Sequence, residues 1–203
     1  MDVIVMCGLP AAGKTTTAGR LHAAFGGRLI RSCDVFRDLG ISLPAWVRRT
    51  KGFTEGVEDY VRLRDAAYRE MASRLEATLA AGATPVILDA VHGEADKRAA
   101  VYAVCERYGA SPALVRCRCD DPAEIDRRVR ARQGREWEPE HEAADPSVVQ
   151  HLGGLWRDPI WDLPATIPIV LYDSVTSRVV GRLGPAAPVV DAIVAALSPP
   201  PLR

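Results

Sequence analysis

An open α/β sheet with parallel strands is the fold predicted by these 203 residues. Three observations carry it. Short apolar runs recur along the chain, each short enough to be a buried strand. Between them lie amphipathic stretches of ten or more residues, the length a crossover helix needs to return the chain to a parallel neighbour. The composition, 48% hydrophobic and 26% charged, is that of a chain that buries one sizeable core.

The elements follow in order. Residues 3–7, Val-Ile-Val-Met-Cys, form an apolar run ending in glycine, a buried strand. Thr15 to Phe25 has helical spacing, and Arg28 to Ser32 is a weaker second strand. Residues 41–56 mix Pro44, Gly52 and Gly56 with charges and are expected as an irregular insertion. From Val57 to Ala81 a long helix is predicted, with Val61, Leu63, Ala67, Met71, Leu75 and Leu79 near one stripe and Gly82 as its stop. Pro85 to Leu88 is the next strand, ending at Asp89. Glu94 to Tyr108 is a helix closed by Gly109, and Ala113 to Cys119 a strand. Pro122 opens an Arg-rich helix to Gln133. The acidic stretch 134–145 is expected to be mobile and 146–152 helical. Ile167 to Tyr172 is a last strand, Pro188 to Leu197 a closing helix, and 198–203 a frayed tail. No repeat or linker divides residues 1–197, which are expected to form a single domain.

Charge and cysteines narrow the function. Lys plus Arg and Asp plus Glu are both 26, so no overall basic coat exists for gripping nucleic acid, although a local patch remains open. No run approaches the ~18 apolar residues of a membrane span, and the opening Met-Asp-Val-Ile-Val lacks the cationic start of a signal peptide. The five cysteines are scattered and odd in number, as expected of free thiols in a reducing compartment. A cytoplasmic protein with no membrane contact is the expectation.

Ligands on open α/β sheets sit at the carboxyl ends of the strands. Four sequence features fall there. Gly8-Leu9-Pro10-Ala11-Ala12-Gly13-Lys14-Thr15 matches GxxxxGK[ST] between a predicted strand and a predicted helix. Glycines at 8 and 13 let backbone amides of the loop, including Ala11 and Ala12, wrap a phosphate, and the helix dipole adds to the same spot. Lys14 supplies charge for the β and γ phosphates, and the Thr15 hydroxyl is a ligand for Mg²⁺; Thr16 follows in the same first turn. Asp34 and Arg37 are spaced i, i+3 after the second strand. A carboxylate there can accept the proton of an attacking hydroxyl, and the arginine can hold an acceptor phosphate or Asp34 itself; the alternative is an N-cap aspartate beside a surface arginine. Asp89 ends its apolar run as an acid able to hold the Mg²⁺ shell, or equally as a cap or turn residue. Arg128 and Arg132 share one helix face, either to reach an anion or as a solvated face paired with Glu124 and Asp126. Trp156 and Trp161, beside Pro159 and Pro164, are expected as packing anchors.

In these residues the chain resembles the small P-loop kinases of the zeta-toxin, polynucleotide-kinase and seryl-tRNA-kinase type, including predicted kinases described as AAA-type ATP-binding. Residues 7–15 look like the seryl-tRNA-kinase loop. Ser32-Cys33-Asp34-Val35-Phe36-Arg37 is similar to the group's S-x-D-x-x-R, Ile87-Leu88-Asp89-Ala90 with Arg98 to its D-A-T…R segment, and Arg127 to Arg132 to its lid motif. The resemblance implies a three-layer P-loop NTPase fold with five parallel strands in nucleoside-monophosphate-kinase order and a lid over about 124–146. It also implies an ATP·Mg²⁺ donor and a hydroxyl acceptor. By matching position, Asp34 would be the general base, Arg37 an acceptor-site residue, and Arg128 and Arg132 lid arginines on ATP. Tyr172-Asp173-Ser174 would lie near the adenine. Where many relatives have Thr after Asp-Ala, this chain has Val91, so water or His92 is expected to replace a hydroxyl contact, or the acceptor differs. A small-molecule acceptor is favoured. A polynucleotide 5′-hydroxyl or seryl-tRNA, and an accessory ATPase acting through a partner, are the alternatives.

Overall fold

A computed structural model describes residues 2–41, 57–133, 153–154, 156, 159–161 and 164–198. The expected insertion after Ile41, the acidic stretch, the helix over 146–152 and the tail from 199 lie outside these residues. The described elements are β1 (Asp2–Cys7), α1 (Lys14–Phe25), β2 (Arg28–Arg31), α2 (Ser32–Asp38), α3 (Val57–Ala80) and β3 (Val86–Asp89). They continue with α4 (Ala95–Arg107), β4 (Ser111–Arg118), α5 (Pro122–Gln133), a 3-10 turn at Pro159–Trp161, β5 (Ile169–Asp173), β6 (Arg178–Leu183) and α6 (Pro188–Leu197).

The strands form one sheet in the order β2-β3-β1-β4-β5-β6. The first five are parallel, in the order implied by the family resemblance. The sixth is a correction: β6 pairs antiparallel with β5, so the sheet is mixed and has six strands rather than five. Its residues alternate between exposed and half-buried and carry Gly181, so no apolar run announced a strand. A turn explains the hairpin. The Asp173 carboxylate accepts the amides of Val175 and Thr176, and Ser177 takes a left-handed conformation, reversing the chain onto the sheet edge.

Period-two alternation along β1 divides the core. Val3, Val5 and Cys7 face a cluster closed by Met71, Leu75 and Leu79 of α3 and by Val101 and Val104 of α4. Ile4 and Met6 face the other cluster, built with Leu21 of α1 and Ile193 and Leu197 of α6. The result is a sheet between two helical layers, which leaves its strand ends as the place for chemistry.

The stripe predicted on α3 holds from Leu63, half-buried against the core, through Leu79 and fails only at Val61, which is 36% exposed; Arg64, one turn on, is buried instead. Arg64 pairs with Glu94 and lies over the Tyr68 ring, so its charge is matched and its stem takes a core position. Trp156 packs on the core as expected, whereas Trp161 is 87% exposed. Among the described residues no helix is long and apolar enough to cross a membrane. All five cysteines are buried and unpaired with one another.

Candidate active site

At the carboxyl end of β1 the chain turns sharply under tight steric limits. Gly8 has φ 150°, and a Cβ there would sit 2.4 Å from the Cys117 carbonyl oxygen on β4. Its amide donates to Val91 O at 3.0 Å, tying the loop to the segment after β3. Ala11 (φ 64°) and Gly13 (φ 88°) are both left-handed and flank Ala12, whose amide donates to Leu9 O. Left-handed residues set one apart in this way belong to the backbone pattern from which anion nests are built. Helix α1 begins at Lys14, so its positive end meets the same loop. Lys14 is only 9% exposed and its ammonium bends back to Leu9 O at 2.8 Å, over the loop. Thr15 and Thr16 lie exposed on the first turn, while Thr17 is buried and donates its hydroxyl to Gly13 O.

On the other side of β1, separated from it only by β3, stands α2. Adjacent strands are about 4.8 Å apart, so the ends of β1 and β2 are separated by about 10 Å, room for a phosphate chain. Arg31 is the N-cap of α2, and Asp34 therefore belongs to its first turn rather than capping it. The Asp34 side chain is 37% exposed and its Oδ1 accepts from Arg37 Nη1 at 3.3 Å. Of the two partners considered for Arg37, Asp34 itself is the one displayed.

Asp89 is 4% exposed and faces Arg31 Nε across 4.0 Å. No helix begins at Asp89, since α4 starts at Ala95, so the residue is not a helix cap. Two buried thiols register how these charges gather. Burial pushes Cys33 up to about 11, with Arg31 opposing and with Asp34 and Asp89 reinforcing the rise. Burial likewise pushes Cys117 up to about 12, while the Thr17 hydroxyl and Lys14 oppose and Asp89 reinforces. Asp89 ends β3, the strand between β1 and β2, and so lies between the phosphate-loop strand and the strand that leads to Asp34.

An open cleft of about 360 Å³ continues from the loop towards β5. Ala11, Gly13, Thr16 and Thr17 form one wall, Arg127 and Arg128 a second, and Tyr172 and Ser174 the floor. Arg20, which the sequence reading did not single out, also lines it and donates to Tyr172 Oη at 2.6 Å. Its spacing from Thr16, i, i+4 on α1, was the available signal. Helix α5 docks on the loop through Val129 and Ile125 against Ala11.

Three arginines of α5 carry ion pairs to its carboxylates, Arg127 and Arg128 to Glu124 and Arg130 to Asp126. Arg127 and Arg130 form the solvated face, paired with Glu124 and Asp126. Arg128 turns inward, with Nη1 on Ala11 O (2.9 Å) and Ser174 Oγ (2.8 Å). Hydrogen bonds from Arg127 and Arg128 hold the Glu124 carboxyl down at about 2. Arg132 lies on the same helix, its side chain outside the described residues.

His92 does not stand in for a hydroxyl after Asp-Ala. It is fully buried, its Nδ1 is 2.9 Å from Met6 O, and its ring meets Tyr68 edge-on. Its carbonyl accepts Cys7 Sγ and Arg98 Nη1, stapling the turn after β3 beneath the loop.

Residues 3–151 match the AAA_33 family, described as an AAA domain. Among curated proteins, the signal recognition particle receptor FtsY of Rickettsia bellii is 35% identical over 74 residues, 34% of this chain and 24% of that protein. The chain therefore spans about a quarter of the length of the curated relatives it matches. Several solved structures share the fold. Kti12 of Chaetomium thermophilum in complex with ADP-AlF3 aligns with a TM-score of 0.57 and 20% identity, over 85% of this chain and 89% of that one. A sugar kinase from Janibacter sp. HTCC2649 gives 0.58 and 18% over 97% and 91%. The PezAT toxin-antitoxin structure from Streptococcus pneumoniae gives 0.53 and 16% over 97% and 77%. The architecture is the P-loop NTPase fold that these structures share.

Proposed function

The chain belongs to the AAA_33 family of AAA domains, and from that premise we propose that it is an ATP-dependent phosphotransferase acting on a hydroxyl of a small molecule. The observation that carries this reading is the pairing of the tightly turned loop at Gly8–Thr15 with a carboxylate, Asp34, two strands away at the same carboxyl end of the sheet. In the proposed reaction the acceptor oxygen attacks the γ-phosphorus, the bond to the β,γ-bridging oxygen breaks, and ADP leaves. Asp34 takes the acceptor proton, and Arg37 holds that carboxylate in place. Lys14 and the amides of the loop offset charge on the phosphates, since this chemistry rests on positioning and electrostatics. The kinases among the structural neighbours support the reaction class.

Thr15 and Asp89 suit Mg²⁺. Both offer hard oxygen donors, Thr15 exposed on the first turn of α1 and Asp89 at the carboxyl end of β3, the strand paired with β1. A Mg²⁺ held there would neutralise charge on the β and γ phosphates.

A zero net charge favours a small acceptor over a polynucleotide. The test is a screen of hydroxyl acceptors with γ-labelled ATP, spanning metabolites, antibiotics, nucleotide sugars and short RNAs. Label should appear on a small molecule, with affinity almost independent of salt; a steep salt dependence would point to a polyanion. Lys14→Ala and Asp34→Ala should each lower transfer at least about a hundredfold. Undiminished turnover by purified Asp34→Ala would remove the proposed base. ATP loss seen only with a second protein present would favour an accessory ATPase.

A further inference from the structure

Within the donor site just proposed, on which this inference rests, we infer that Ser174 is a positioning residue that fixes the Arg128 guanidinium as a static wall of the nucleotide cleft. The guanidinium carries five N–H donors, and four are committed to protein acceptors. Nε donates to Glu124 Oε1 at 2.6 Å, Nη1 to both Ala11 O and Ser174 Oγ, and Nη2 to Ser174 O at 3.2 Å. Two of these four bonds end on Ser174, one on its hydroxyl and one on its main chain. The site is also close-packed: a Cβ on Gly13 would lie 2.7 Å from Ser174 Cβ and 3.4 Å from Arg128 Nη1. Ser174 is itself anchored, because its amide donates to Arg118 O on β4 at 3.0 Å.

A charge so occupied has few donors left for a phosphate. Arg128 lines the cleft, and with its edge donors occupied the contact left for it to offer a ligand is a flat face, which stacks on aromatic rings. Arg128 therefore meets the base of a nucleotide rather than its triphosphate, and it does so without swinging in from solvent. Ser174 contributes through the direction it imposes on that plane. Glu124 imposes the same direction from within α5.

The measurement is calorimetric binding of two probes, the β,γ-imido analogue of ATP and inorganic tripolyphosphate, with circular dichroism and thermal melting as controls on folding. Ser174→Ala should weaken the ATP analogue about tenfold, the effect of losing one hydrogen bond to a charged group. Tripolyphosphate binding should stay within about twofold. In an Arg128→Ala background, Ser174→Ala should add nothing further, because it acts through that arginine. Glu124→Gln, which loosens the guanidinium from its other side, should repeat the pattern and serves if Ser174→Ala melts early. Unchanged binding of the analogue by folded Ser174→Ala overturns the assignment, as does an equal loss for tripolyphosphate or a loss that persists without Arg128. If the wild-type chain binds neither probe, the proposed function itself falls, a result distinct from wild-type binding that Ser174→Ala leaves intact.

Discussion

Gly8 shows how one residue's missing atom shapes the site. With 2.4 Å between its would-be Cβ and a backbone oxygen of β4, no side-chain adjustment relieves the clash. Gly8→Ala is expected to displace β1 from β4 or the loop from both, abolishing nucleotide binding in a calorimetric titration; retained affinity would mean the loop adapts. His92 makes a different demand. Burial above all, assisted by the charges of Arg98 and Lys14 and opposed by the bond to Met6, holds its imidazole down at about 4. The unfolded chain, with an ordinary histidine near 6.5, takes up a proton first as pH falls. Stability should therefore be full above about pH 6.5, decline between 6.5 and 4, and level off below. A separation of that size corresponds to roughly 3 kcal/mol. Urea denaturation across that range should show the decline in the wild type and not in His92→Asn, whose side chain tolerates the left-handed backbone and does not titrate.

At the scale of elements, α3 separates what periodicity reveals from what it hides. Leu75 is fully buried beneath the sheet, and Leu75→Ala should cost about 2–5 kcal/mol. Val61 lies on the same predicted stripe yet is exposed, so Val61→Ala should change stability by no more than about 0.5 kcal/mol in the same denaturation assay. Equal costs would show that the stripe extends as its spacing suggested. The inner parallel strands were legible because they are buried on both faces and read as apolar runs, whereas β2, at the sheet edge with an arginine at each end, read more weakly. The edge strand β6 was not, since four of its six residues are exposed and its pairing depends on the turn made by Asp173. Likewise GxxxxGK[ST] announced the loop, because glycine and lysine at those spacings have few other uses. Ser174 and Arg20 carried no such mark: a serine after a strand and an arginine on a helix acquire meaning only when tertiary packing brings them to one cleft.

For the molecule as a whole, the loop, α5 and the β5–β6 turn line one cleft, so its occupancy by the proposed nucleotide should stabilise the entire fold. At a nucleotide concentration about a hundred times Kd, linkage adds about 2.7 kcal/mol. For a chain of this size, that raises Tm by about 5–10 °C. Differential scanning fluorimetry should record this rise with ATP and lose most of it in Lys14→Ala; a rise unaffected by that substitution would place the ligand elsewhere.

The strand order has one more consequence. Every strand up to residue 107 lies on one flank of β1 and every later strand on the other. The flank that holds Asp34 is thus one uninterrupted excursion of chain, separable at two loops from the machinery around Arg128. Under the proposed function, a chimaera that exchanges that excursion while keeping Asp89 and the Val91 carbonyl that accepts the Gly8 amide is expected to change the acceptor and to keep the nucleotide.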